Sequence, residues 1–270
     1  MSDLQADLDA VFAPLRDDPS ATAILSDVDG TLSPIVADPS QAGVLPGAHD
    51  ALAALASRYA VVGCVSGRPA LEARRIVGLD RLVYLGNHGL ERLEPGAQEP
   101  RSSAALAGHE GDAADFLRRV VDAERLADAG LRAEDKGPIR ALHWRGAEQE
   151  DRAEAEAETI AAEAEAAGLV VHRGRKVIEL RPPVPFDKGA AITELLADRP
   201  VRHALYAGDD RTDVDGFRAL REQAASGGLE TAVCVAIASR ESPPEVSARA
   251  DVVVADPIEF AHLLGTLARG

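Results

Sequence analysis

Residues 22–32 read Thr22-Ala23-Ile24-Leu25-Ser26-Asp27-Val28-Asp29-Gly30-Thr31-Leu32, a short apolar strand that runs straight into two carboxylates, a glycine and a hydroxyl. Outward from it the chain alternates. Pro46 opens a helix on which Leu52, Leu55 and Tyr59 share a face, proline being acceptable at the first helical position. Residues 60–65 form a continuous apolar run of the kind buried on both sides, Pro69 starts another helix, and residues 82–85 make a third strand. The rhythm returns late in the chain with a helix from Gly189, a strand at 203–207, a helix near 214–224 and a strand at 231–238. Residues 252–254 and 258–267 close it. Such alternation predicts a Rossmann-like α/β core, a parallel sheet with helices on both faces.

The middle breaks the pattern. Between Pro95-Gly96 and Pro182-Pro183-Val184-Pro185 the order predicts a helix at 112–127, a strand at 139–144, a helix at 148–167 and a strand at 170–180. The second helix is almost all Ala and Glu, a solvated acidic face over a small one. Prolines cannot continue a central strand or a helix interior, so these pairs mark boundaries. The reading is a core of residues 1–95 and 183–270 interrupted by an α+β insert of residues 96–182.

Composition excludes several classes. Over 270 residues, Lys+Arg 29 against Asp+Glu 45 leaves a formal charge of -16, which repels phosphate backbones and anionic lipid, and an aromatic content of 3% leaves few stacking platforms. We expect neither nucleic acid nor membrane as a partner. Cys64 and Cys234 each sit in an apolar run, as core thiols of a reduced protein do. Leu4, Leu8, Val11 and Leu15 mark an acidic amphipathic helix in place of a cationic leader. A cytoplasmic protein is expected, a monomer in preference to an oligomer.

Reactive groups gather at the carboxyl ends of strands in such sheets. Asp27 and Asp29 follow the first. Ser66-Gly67-Arg68 follow the second, a hydroxyl and amides able to cradle phosphate oxygens, though Arg68 is as readily a structural ion-pair partner. Lys188 opens the helix after the insert, preceded by Asp187. Gly208-Asp209-Asp210-Arg211-Thr212-Asp213 is a carboxylate loop suited to a hard cation such as Mg²⁺. Taken singly each has an ordinary explanation, since Asp and Gly form turns everywhere. Ser66 lacks the Gly-x-Ser-x-Gly spacing of a serine nucleophile.

Together and in this order, Asp27-Val28-Asp29-Gly30-Thr31-Leu32, Val65-Ser66-Gly67-Arg68, Lys188-Gly189 and Gly208 to Asp213 resemble the four motifs of the haloacid dehalogenase-like phosphatases. Gly86-Asn87-His88-Gly89-Leu90-Glu91, Glu134-Asp135-Lys136-Gly137, His143-Trp144-Arg145 and residues 174–181 are similar to trehalose-6-phosphate phosphatases, in which the insert is a cap that closes over the core and binds the disaccharide. Two positions depart from the pattern: Val214 stands where an acidic residue is common, and Asp187 where small or amide residues are.

The resemblance implies Asp27 as nucleophile, forming an aspartyl-phosphate, and Asp29 as general acid and then base. Acting as acid, Asp29 is expected to carry a proton at neutral pH, kept there by nearby like charge. Mg²⁺ would sit on Asp27, the backbone carbonyl of Asp29 and Asp209, with Asp210 and Asp213 in outer positions. Ser66, Gly67, Arg68 and Lys188 would bind phosphate. Glu134, Lys136, Lys176 and Glu179 would line the sugar site, with His88 and Glu91 where cap meets core. The implied partner is a small sugar phosphate, trehalose 6-phosphate first. Alternatives are a sucrose or mannosyl phosphate phosphatase, a phosphomutase, and a silent sugar-phosphate sensor.

Overall fold

The computed structural model describes residues 3–36, 41–174, 176–239 and 242–269, so Arg175 of the last motif lies outside the described residues. The chain divides into two compact units, residues 1–101 with 186–270, and residues 102–185. The strands are β1 (Thr22–Ser26), β2 (Val61–Val65), β3 (Val83–Gly86), β4 (Glu91–Leu93), β5 (Arg101–Ser102), β6 (Arg132–Lys136), β7 (Ile139–His143), β8 (Val170–Gly174), β9 (Val177–Arg181), β10 (His203–Gly208), β11 (Thr231–Ile237) and β12 (Val252–Val254). The helices are α1 (Asp3–Asp17), α2 (Pro46–Leu55), α3 (Ala70–Val77), α4 (Asp112–Val120), α5 (Ala123–Ala129), α6 (Glu150–Ala166), α7 (Lys188–Ala197), α8 (Arg211–Ala225), α9 (Pro244–Ser247) and α10 (Pro257–Arg269).

The expected parallel α/β core is present. Eight strands run in the order β12-β11-β10-β1-β2-β3-β4-β5, and the six from β12 to β3 are parallel. Strict alternation splits their side chains between two apolar layers. Ile24, Val62, Tyr84, Leu205 and Val233 pack with Phe12, Leu15, Leu52, Leu55 and Phe260 on one face. Ala23, Leu25, Val65, Leu85, Tyr206 and Cys234 pack with Ile192, Leu195, Phe217 and Leu220 on the other. Burial on both faces is why these strands read as unbroken apolar runs. Cys64 and Cys234 are free and buried, in opposite layers. Among the described residues, no helix is long and apolar enough to cross a membrane.

The other unit is an antiparallel sheet, β6-β7-β9-β8. Leu142, Ile178 and Leu180 face α4 and α6, where Phe116, Leu117 and the small stripe Ala153, Ala157, Ala161 and Ala164 complete a third core. The register sets Glu134 beside Ala141 and Ala141 beside Glu179, so the opposite face carries Glu134, Lys136, His143, Glu179 and Arg181.

Three sequence expectations change here. The helix expected over 112–127 is two helices, because Val121 turns extended and the Asp122 carboxylate accepts from Arg125 N–H at 2.7 Å, capping a new start. The strand expected over 170–180 is a hairpin, β8 and β9, turning beside Lys176 at φ 60. Residues 132–136, to which the sequence reading gives no element, form β6, whose charged composition hides any apolar period.

The contact face of α6, alanine apart from Ile160, generates a packing prediction. Ala157→Leu should overfill the layer against the sheet and cost about 1–3 kcal/mol in urea denaturation. Ala155→Leu, on the exposed side of the same helix, should stay within about 0.5 kcal/mol.

Candidate active site

The carboxyl ends of β1, β2 and β10 and the start of α7 converge on one buried polar cluster. Asp27 leaves β1 with its N–H donating to Ala207 O at 2.8 Å, so the sheet ladder itself sets the position of its side chain. Lys188, in the first turn of α7, sends Nζ to Asp27 Oδ1 and to Asp213 Oδ1, 2.6 Å each. Asp209 follows β10, and Thr31 Oγ1 donates to its Oδ1 at 2.9 Å. Asp27, Asp209, Asp213 and Lys188 are all at most 5% exposed.

Asp213 orients the others. Its Oδ1 accepts from Lys188 and from the Tyr206 hydroxyl, and its Oδ2 accepts from the backbone N–H of Asp209 and Asp210 at 3.0 Å. Four donors on one carboxylate leave it holding the loop. Asp210 is not brought into the cluster: it caps α8, its Oδ1 accepting from Arg211 N–H at 2.7 Å. Val214, at the position that departs from the family pattern, packs partly buried into the apolar layer under α8.

Burial pushes the Asp27 carboxyl well above its usual range, with Lys188 opposing and the other two aspartates reinforcing the rise. Burial, then the charge of Asp213, pushes Asp209 up to about 7. Lys188 moves up, because the attraction of Asp213 and Asp27 outweighs a desolvation that alone would lower it. When all three are ionised, these buried carboxylates against one ammonium leave an excess of two negative charges. Ligand oxygens of Asp27, Asp209 and Asp213 lie within 4.8 Å of one another. An all-oxygen donor set with that surplus fits a hard divalent cation, and Asp27 and Asp209 would each have an oxygen to offer it beyond the bonds described.

Ser66 is buried at the end of β2, with its N–H on Leu85 O and its carbonyl accepting from His88 N–H. A Cβ on Gly67 would meet the His88 ring at 2.8 Å, so His88 packs against this loop from a left-handed turn at φ 57. Arg68 does not turn back onto the loop. Its Nε and Nη2 take both oxygens of Asp29, at 2.6 and 2.8 Å. The neighbour that the structure gives Asp29 is thus a guanidinium, and not the like charge expected from sequence. Glu91 accepts from Ala70 N–H at 2.9 Å and caps α3.

In the insert, Glu134, Lys136 and Glu179 do share one face. Lys136 Nζ reaches Glu179 Oε1 at 2.9 Å, Arg181 places Nε and Nη2 on Glu179 Oε2, and Glu134 Oε2 pairs with His143 Nε2 at 2.7 Å. That hydrogen bond, before other causes, lowers the Glu134 carboxyl. Lys176 pairs with Glu150. Sequence reasoning missed Thr31, Tyr206 and Arg181. Tyr206 left one signal, a hydroxyl in a strand that otherwise needed only apolar groups.

Comparison with known proteins bears on this geometry. A solved trehalose-6-phosphate phosphatase related protein is 27% identical and superposes with TM-score 0.70 over 92% of this chain and 97% of its own. The parallel core with an antiparallel insert is the haloacid dehalogenase-like fold. A trehalose 6-phosphate phosphatase of Zea mays is 32% identical over 219 residues, 76% of this chain and 58% of that protein. An uncharacterized glycosyl hydrolase of Mycobacterium tuberculosis is 38% identical over 181 residues, 64% of this chain and 13% of that protein. The chain therefore spans less than two thirds of either curated relative. The trehalose-phosphatase model matches residues 25–253, which contain every strand end that builds the buried cluster, and by that match the chain belongs to the trehalose-phosphatase family.

Proposed function

We propose that this protein is a cytoplasmic Mg²⁺-dependent phosphatase that hydrolyses trehalose 6-phosphate to trehalose and phosphate through an aspartyl-phosphate on Asp27. The observation that carries the reading is the buried carboxylate of Asp27, 2.6 Å from the ammonium of Lys188 and beside Asp209. Asp27 attacks phosphorus as the bond to the sugar oxygen breaks, and Asp29 gives that oxygen a proton. Water then attacks the phosphoryl group, Asp29 takes its proton, and the Asp27 carboxylate is restored with release of phosphate. Lys188, the Ser66 hydroxyl and the Gly67 amide hold the non-bridging oxygens while charge redistributes. A divalent cation on Asp27, Asp209 and the Asp29 carbonyl would supply positive charge that keeps both carboxylates ionised and offsets the phosphoryl charge.

We assign the sugar to the insert, residues 96–182, acting as a cap. Glu134, Lys136 and Glu179 offer directional acceptors and donors on one face, which is what neutral hydroxyls require. A phosphate-release panel tests the assignment. The trehalose ester should give the highest kcat/KM among disaccharide and monosaccharide phosphates, and only with Mg²⁺. Equal rates on all of them would end the trehalose reading.

Charge burial also makes a stability prediction. Asp209 binds its proton more tightly when folded, at about 7 against an ordinary value of 3.8, and Asp27 shifts the same way. Their contribution is therefore fully present below the ordinary value and is lost as pH rises through about 7. In calorimetry at pH 8, metal-free Asp209→Asn should melt higher than the metal-free wild type, and the two should converge near pH 4. Mg²⁺ should raise the melting temperature of the wild type but not of the variant.

A further inference from the structure

We propose that Arg68 is a positioning residue that holds the acid–base carboxylate of Asp29, with Glu72 as its anchor, and that it does not bind the substrate's phosphate. The inference rests on the phosphatase reading above.

The geometry is that of a fork closed on a carboxylate. Nε and Nη2 of Arg68 meet Oδ2 and Oδ1 of Asp29 at 2.6 and 2.8 Å, the two parallel bonds that only a planar guanidinium supplies. Nη1 goes to Glu72 Oε1 at 2.5 Å, one turn along in α3. The Arg68 backbone is fixed as well: its N–H donates to Ser66 Oγ at 3.1 Å and its carbonyl accepts from Asn87 N–H at 2.8 Å. Main chain and side chain are thus held from opposite sides, and the fork aims at residue 29. The Arg68 side chain is 15% exposed and that of Asp29 39%, so the reactive carboxylate reaches solvent while its holder stays back. Two carboxylates surround one guanidinium, so the trio carries net negative charge. An incoming phosphate dianion would meet the negative charge of both Asp29 and Glu72 at Arg68.

A ligand of phosphate and a holder of Asp29 differ in what their loss does. Without its holder, Asp29 is still present but no longer in place, and proton delivery to a poor leaving group suffers most. The experiment measures kcat/KM of Arg68→Gln and Arg68→Lys on trehalose 6-phosphate and on 4-nitrophenyl phosphate, whose leaving group needs little protonation. It adds the inhibition constant of inorganic phosphate and the double variant with Asp29→Asn. For Arg68→Gln we expect a loss of about 30-fold or more on the sugar ester, with a several-fold smaller loss on the aryl ester. The phosphate inhibition constant should stay within about twofold, and the double variant should be no slower than Asp29→Asn alone. Arg68→Lys, which keeps the charge but not the fork, should recover only part of the loss. Equal losses on both esters with a tenfold weaker phosphate constant, or additive losses in the double variant, would overturn the inference. Melting curves with Mg²⁺ separate unfolding from either outcome. A wild type inactive on both esters would remove the phosphatase reading, and this inference with it.

Discussion

Burying carboxylates around a single lysine is the constraint that organises this protein. An ionised carboxylate taken out of water costs several kcal/mol unless it is paired and hydrogen-bonded. Asp27, Asp209 and Asp213 are all placed under the carboxyl ends of the sheet, and Lys188 is the ammonium that two of them share. The fold satisfies the remainder with local donors: Thr31 for Asp209, and Tyr206 with two backbone amides for Asp213. Each partner comes from a different segment, so the cluster forms only when β1, β10, α7 and α8 are all in place. The surplus negative charge left after that pairing is what a divalent cation would offset, and the same surplus makes the metal-free fold work against its own site.

Close approach of these groups needs missing side chains. Gly30 has φ +88, and a Cβ there would lie 2.2 Å from Asp209 Oδ2. A Cβ on Gly208 would lie 2.2 Å from Asp213 Cγ. In both motifs the glycine beside the aspartates is therefore the space into which another motif's carboxylate fits, beyond any turn propensity it brings.

Much of this was legible in the sequence, unevenly and for identifiable reasons. Strands buried on both faces announce themselves as apolar runs, so residues 22–26 were read with the bounds that the structure has. In the insert only one sheet face is apolar, and β6 with its Arg132, Glu134, Asp135 and Lys136 carries no period to read. Motifs showed which residues gather, and Glu134, Lys136 and Glu179 do gather on one sheet face. Partners were harder. Asp29 was expected beside like charge and instead meets Arg68, because the direction of a long side chain is set by where Glu72 on the next helix anchors it. Tyr206 read as core because most of it is core: its ring packs edge-on against Phe217 at 5.9 Å, and only its hydroxyl belongs to the site.

For a chain with a formal charge of -16, the sugar-phosphate reading proposed above sets an electrostatic problem that must be solved locally. The cations described in each of the two units do not solve it by waiting unpaired. Lys188 is held by Asp27 and Asp213, Arg68 by Asp29 and Glu72, Lys136 by Glu179, and Lys176 by Glu150. Paired cations orient groups well but attract a dianion weakly, since each brings its own counter-charge. Attraction must then come from charge that is added or released when substrate binds. On the proposed reading, a cation on Asp27 and Asp209 would add it, and loss of the Lys188–Asp27 bond as Asp27 turned nucleophile would release it. On that reading phosphate affinity would follow metal loading and the reacting carboxylate itself, not the surface charge of the protein.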